Sequence, residues 1–217
     1  TSWPRSSIVD IALTPEIMDG VFSPRVCAAF DHLLGPYRWR RHENFHAHPV
    51  IFPGDQMGWT VNEGGWHVDG SWFHHVLETE KQVLVILPVW SDIAADGGGT
   101  IVRRASYKVT ARVLAEAGQE GLHHRELDRH VIPRVVDLPT TVVTASAGDL
   151  IIMHGFSLHT GTRNHNERTR MITNSSVHLN APPDFSGSNA AASVFEQTVA
   201  AALRESEPDP PVQATPA

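Results

Sequence analysis

Residues Thr140–Gly161 read TTVVTASAGDLIIMHGFSLHTG, and how that stretch divides decides the kind of fold the chain makes. Two runs rich in β-branched and aliphatic residues flank Ala147-Gly148-Asp149, a trio suited to a turn. It reads as two strands around that turn. Upstream, KQVLVILPVWSDI (Lys81–Ile93) is almost continuously apolar, as a buried strand should be. Gly97-Gly98-Gly99 then turns the chain into TIVRRASYKV (Thr100–Val109), a further strand entering a loop. Downstream, TRMITNSSVHLN (Thr169–Asn180) alternates in character and stops before Pro182-Pro183.

Helical text lies mainly towards the two ends. Thr14–Leu34 reads as helix, with Pro24 suited to the first position of a second one. Ser188–Arg204 is Ala-rich and helical, and Val109–Ala117 suggests a short helix. HHRELDRHVI (His123–Ile132) reads as a polar connection, and Tyr37–Thr60 as strands and loops. Gly54, Gly58, Gly64, Gly65 and Gly70 imply turns and close backbone approach. There is no internal repeat and no βαβ alternation, and neither G-x-G-x-x-G nor a P-loop occurs. These features favour a mainly β fold, an antiparallel sandwich or barrel with flanking helices. Residues 1–205 are expected to form one domain with its core over 50–180, and 206–217 a mobile Pro-rich tail.

Composition narrows the function. The formal charge of -7, with Lys and Arg outnumbered and never in a run, argues against a nucleic-acid surface. The longest apolar runs are strand-sized, far short of the roughly 20 residues of a membrane-spanning helix. The one cysteine, Cys27, excludes an internal disulfide and a cysteine-rich zinc site, so a reducing, cytoplasmic setting is the expectation. The opening TSWPRSSIVDIALT has no secretory apolar core, and because no Met precedes it the native start is left open.

Histidine is the compositional oddity, with 14 in the chain. His-x-Asp/Glu occurs three times, at His67/Asp69, His124/Glu126 and His165/Glu167. Chance alone predicts roughly 1.5, so the motif is weak until its surroundings are weighed. The last two pairs sit in highly charged text and read as solvated faces. His67 and Asp69 sit in NEGGWHVDGSWFHH (Asn62–His75), beside Trp66, Trp72 and Phe73. A carboxylate buried among such rings needs a cation or donors. On an extended chain, residues two apart share a face and can grip one ion. Two histidines and one carboxylate suit Fe(II) and leave open positions. His154 and His159 are the candidates for the third ligand.

WHVDG (Trp66–Gly70), followed by GDLIIMHGFSLHTGTRNHNERTR (Gly148–Arg170), resembles the phytanoyl-CoA dioxygenase family of Fe(II)- and 2-oxoglutarate-dependent oxygenases. DGGGTIVRRASYK (Asp96–Lys108) is similar to that family's turn-and-strand segment, so the resemblance spans about Gly64 to Leu179. It implies a double-stranded β-helix, a jelly-roll, cupin-like barrel with the metal at its mouth. It implies His67, Asp69 and His159 as catalytic metal ligands, with Asn164 a polar position beyond them. A downstream arginine holds the distal carboxylate of 2-oxoglutarate, and Arg170 fits that interval. Arg168 is the second candidate and Arg163 the last. The family's Trp near the cosubstrate is replaced by Ile86 or Leu87, with Trp90 slightly later.

The implied reaction couples decarboxylation of 2-oxoglutarate, with O₂ as co-substrate, to hydroxylation of a small metabolite, giving succinate and CO₂. Desaturation, ring closure and epimerisation draw on the same chemistry. Asp69 fills the place that halogenating relatives leave for chloride, which argues against halogenation. Trp72, Arg103 and His178 are the candidate substrate residues, and only one of Arg103 and Arg104 can face inwards on a strand. Two rival readings are a cupin-like metal enzyme without 2-oxoglutarate and a non-catalytic jelly-roll binding protein. An arginine close to the open side of the metal would separate them from the oxygenase. The partner is expected to be a small molecule, with no nucleic acid or membrane, and the oligomeric state is left open.

Overall fold

A computed structural model of the chain describes residues 6–54 and 65–205. Gly58, Gly64 and the tail expected at 206–217 lie outside them. The described chain runs β1 (Ser6–Asp10), α1 (Pro15–Val21), α2 (Pro24–Leu34), β2 (Trp39–Arg40), β3 (Ala47–Ile51), β4 (Leu84–Pro88) and β5 (Thr100–Arg103). It continues through α3 (Ser106–Ala117), α4 (His124–Val131), β6 (Thr140–Val142), β7 (Leu150–His154), β8 (His159–Gly161), β9 (Arg170–Met171), β10 (Ser175–Leu179) and α5 (Val194–Arg204).

The strands form three sheets, ordered β1-β3-β9, β2-β10-β4-β7 and β6-β5-β8. Every pairing is antiparallel. β4 explains its own apolar text, because it is covered on both sides. Leu84 and Ile86 join the main core with α2, α3 and α5, through residues such as Phe30, Leu114 and Phe195. Val85 and Leu87 point the other way, into a smaller cluster with Val89, Ile93, Met153 and Ile172. That inner face leads to the functional site.

The opening stretch divides differently from the two-strand reading. Thr140–Gly161 yields three strands in two sheets: β6 and β8 flank β5, whereas β7 pairs with β4. The turn at Ala147-Gly148-Asp149 therefore carries the chain between sheets instead of closing a hairpin. HHRELDRHVI is not a connection but the helix α4, because Leu127 and Val131, one turn apart, both pack into the main core. α3 starts at Ser106, three residues before the expected Val109, after Ala105 takes a left-handed φ of 62°. Ser106 Oγ then donates to the Arg103 carbonyl and accepts from the Leu158 amide. α5 starts only at Val194, where Ser193 and Glu196 form a capping box. Thr169–Asn180 is broken, since Arg170–Met171 pairs with β3 while Ser175–Leu179 pairs with β4 and β2. Among the described residues no helix is long and apolar enough to cross a membrane.

Candidate metal centre

His67 and His159 lie opposite one another in an isolated antiparallel bridge, each amide donating 3.0 Å to the other's carbonyl. Asp69, two residues on, completes the group. The three residues offer ligand atoms that all lie within 4.8 Å of one another. His67 Nε2 is 3.2 Å from Asp69 Oδ1, and His159 Nε2 is 3.4 Å from Asp69 Oδ2. Asp69 and His159 are buried.

The imidazole tautomers follow from their other contacts. His67 Nδ1 meets the Gly65 carbonyl at 2.7 Å and His159 Nδ1 the Ser157 carbonyl at 3.0 Å. A carbonyl only accepts, so both Nδ1 atoms carry protons, and each ring turns its Nε2 towards the carboxylate, to which it donates when protonated and beside which it offers a lone pair when not. With both Nε2 atoms unprotonated, one cation between the three groups would be held by two lone pairs and the carboxylate. Asp69 Oδ2 is moreover buried without a hydrogen-bond partner. Burial would raise the Asp69 pKa, but the adjoining His159 and His67 imidazoles hold it well below the usual carboxylate range. Burial presses the His67 pKa down, and the adjoining Asp69 reverses that to a net rise. The donor set fits a divalent metal ion.

Neighbouring elements fix the ligands. The Val68 amide, between the two motif residues, donates 2.9 Å to Asp128 Oδ1 on α4. Gln82 Nε2 donates 2.7 Å to the Asp69 carbonyl. Asn174 Nδ2 reaches Asp69 Oδ1 at 3.4 Å. Gly70 has φ +114°, and a Cβ there would fall 2.6 Å from the Phe73 ring and 2.7 Å from that of His75, so the motif's glycine is sterically required. Asp128 escaped the sequence reading because the helix bearing it did. The signal that could have found it is the Leu127/Val131 pair.

A cavity of about 530 Å³ adjoins the group, lined by His67, Leu87, His159, Arg170, Ile172 and Asn174 among others. Arg170 is 3% exposed. Its Nε donates 2.7 Å to the Gly98 carbonyl and an Nη lies 3.5 Å from the Pro49 carbonyl. Among the described residues no carboxylate pairs with it, and burial lowers its pKa to about 10. Arg168, by contrast, is 86% exposed in its side chain and lies 3.9 Å from Asp92. It precedes β9 and is absent from the cavity wall. Asn164 is structural here, donating to the Arg168 and Ile51 carbonyls. Of the two aliphatic alternatives, Leu87 lines the cavity, while Ile86 faces the helices.

The remaining candidates lie elsewhere. His154 packs among Tyr107, Phe156 and Phe195, on the side of β7 away from Met153 and the inner cluster. Val102 sits opposite His159, so Arg103 points to the other face. There its guanidinium donates to the Val136 and Leu138 carbonyls and lies over the Trp66 ring. Trp72 is 64% exposed. His178 contacts Ser176 Oγ and the His42 ring. None of Trp72, Arg103 and His178 lines the 530 Å³ cavity.

No family model matches the sequence, and no curated protein matches it. Solved structures do. The non-heme α-ketoglutarate-dependent carbocyclase SnoK from nogalamycin biosynthesis superposes with a TM-score of 0.51 at 18% identity, covering 83% of this chain and 69% of that one. The epimerase SnoN, solved with Fe³⁺, α-ketoglutarate and nogalamycin RO, gives 0.50 at 15% identity over 86% and 72%. The chain shares their fold. That fold is mainly β, antiparallel and jelly-roll-like.

Function has to be argued from the site itself. Two imidazoles and a carboxylate can hold an ion from one side, leaving the side towards the cavity open. Arg170, without a carboxylate partner among the described residues, lines the same cavity as His67 and His159.

Proposed function

We propose that this protein is a non-haem Fe(II)- and 2-oxoglutarate-dependent oxygenase of phytanoyl-CoA dioxygenase type, built on a double-stranded β-helix. In this reading it hydroxylates an unactivated C–H bond of a small metabolite and releases succinate and CO₂. The observation that carries the reading is Arg170, a buried cation with no acidic partner among the described residues, in the wall of the cavity beside the metal ligands. A cupin-like metal enzyme or a plain binding protein has no need of it.

His67, Asp69 and His159 would hold Fe(II), which when bound supplies coordination positions for the 2-oxo acid and O₂. Arg170 receives the distal carboxylate of 2-oxoglutarate, since its planar fork matches a carboxylate with two parallel hydrogen bonds. The carbonyls of Gly98 and Pro49 orient that fork from behind. Leu87 and Ile172 supply apolar wall that keeps water from the reacting end. Asn174 steadies the Asp69 carboxylate, which occupies the position a halide would need. SnoK and SnoN are named a carbocyclase and an epimerase, so ring closure and epimerisation stand beside hydroxylation as outcomes. Of the substrate candidates, His178 is half-buried on the strand that continues from Asn174 and remains the one to test first.

Fe(II) and 2-oxoglutarate added anaerobically to the purified protein should give the weak visible band of the chelate near about 500 nm, expected of this coordination class. Asp69→Ala should abolish the band and Arg170→Ala weaken it. Metal-loaded wild type without any band would remove the oxygenase reading.

A further inference from the structure

Outside this centre, a second pair of histidines converges. His75 and Leu122 form an isolated antiparallel bridge, with amide-to-carbonyl bonds of 2.9 and 2.8 Å in the two directions. The next pair outwards is therefore His74 opposite His123. This is a pair without backbone hydrogen bonds of its own, where side chains stand closest. Their Nδ1 atoms are 3.4 Å apart, with the rings at 88°.

The chemistry of the pair is constrained. His74 Nε2 meets the Glu120 carbonyl, so that nitrogen carries the proton and Nδ1 is left with a lone pair aimed at His123. At 3.4 Å the two nitrogens are farther apart than a good N–H hydrogen bond of 2.7–3.2 Å. The spacing suits a shared ion better. Two imidazole nitrogens, each about 2.0–2.1 Å from one tetrahedral ion, lie roughly 3.3–3.4 Å apart. The Glu120 carbonyl then plays the supporting part that such ligands ordinarily find on their second nitrogen. The two segments approach closely beside it, since Gly121 has φ +62° and a Cβ there would fall 2.2 Å from the His75 carbonyl oxygen.

We propose that His74 and His123 form a second metal site, for one divalent ion of the imidazole-favouring class (Zn²⁺, Ni²⁺, Co²⁺ or Cu²⁺), with water completing the shell. The site shares no ligand with His67, Asp69 and His159. An ion held there would staple the segment following Asp69 to the approach to α4, the helix whose Asp128 holds the Val68 amide.

Both histidines are exposed; His74 lies outside any helix, so His74→Ala should leave folding intact, while His123 is the N-cap residue of α4 and His123→Ala is compared with it. Calorimetric titration of the metal-free full chain with Ni²⁺ alone is expected to show two equivalents for wild type. His74→Ala and His123→Ala should each show one, and Asp69→Ala should retain the second site. Loss of a supporting group alone weakens a metal site about 10- to 100-fold, and loss of a ligand should weaken it by at least that much. If the triad bound nothing, wild type would show one equivalent and His74→Ala none, which separates failure of the oxygenase reading from failure of this one. His74→Ala and His123→Ala titrating like wild type would overturn the second site.

Discussion

Arg170 and Arg168 are two positions apart, and their environments could hardly differ more. One is 3% exposed and, among the described residues, has backbone carbonyls as its hydrogen-bond partners; the other is bathed in solvent beside Asp92. A buried guanidinium left without an anion is costly, and a ligand carboxylate relieves that cost. Each charge-assisted hydrogen bond contributes about 1.5–3 kcal/mol. Arg170→Ala should therefore raise the 2-oxoglutarate concentration for half-saturation by at least roughly tenfold, one such bond's worth. Arg170→Lys should recover only part of the loss, because a point charge cannot make the paired contact. Arg168→Ala should leave the titration unchanged. Equal effects at the two positions would show that the carboxylate is held elsewhere. Spacing from His159 could not choose between them, since both fall at plausible intervals. What separates them is where β9 begins.

At the scale of elements, α4 matters most for how the site is held. Leu127 is fully buried, and the next residue, Asp128, reaches the Val68 amide between His67 and Asp69. Leu127→Ala should destabilise the fold by about 2–5 kcal/mol, as truncation of a buried leucine does. Denaturant titration reads that loss. A cost below about 1 kcal/mol would mean that α4 is not anchored as the structure shows. This helix was invisible in the sequence because only Leu127 and Val131 of α4 are buried while charged residues and histidines fill the rest. β4 was legible for the opposite reason, since covering on both sides forces an uninterrupted apolar run. The pairing of His67 with Asp69 was likewise readable, because two-residue spacing is local. His159 was singled out only through the family resemblance, because an isolated bridge between distant segments leaves no periodic trace. From Arg170 the alternation carries Ile172 and Asn174 to the same cavity, and the chain then changes sheets between β9 and β10, which sets His178 beside His42.

For the whole molecule, acid stability depends on buried groups on several elements besides Asp69. His154 is enclosed by Tyr107, Phe156 and Phe195, and burial lowers its pKa from 6.5 to about 3. The unfolded chain takes up that proton near 6.5, so across the interval it binds more protons than the folded one. Stability then falls as pH drops from about 6.5 towards 3, with a slope of up to about 1.4 kcal/mol per pH unit from this residue. His75 and His178, both lowered to about 4 chiefly by burial, act in the same direction. Glu196 on α5 governs a lower window. Burial favours its protonation, yet the Arg38 guanidinium, with two bonds of 2.7 and 2.5 Å, and the amides of Asp184 and Ser193 outweigh that, and its pKa falls to about 2. Its contribution is complete above about 4.5 and is lost as pH falls towards 2. The two windows can be separated by denaturant titration at stepped pH with a chelator present. His154→Asn keeps an acceptor for the Phe156 amide and should flatten the slope between pH 6.5 and 4.5, leaving the steeper acid limb in place. Glu196→Gln should do the reverse. A slope above pH 4.5 that His154→Asn does not change would show that this imidazole reaches water in the folded chain.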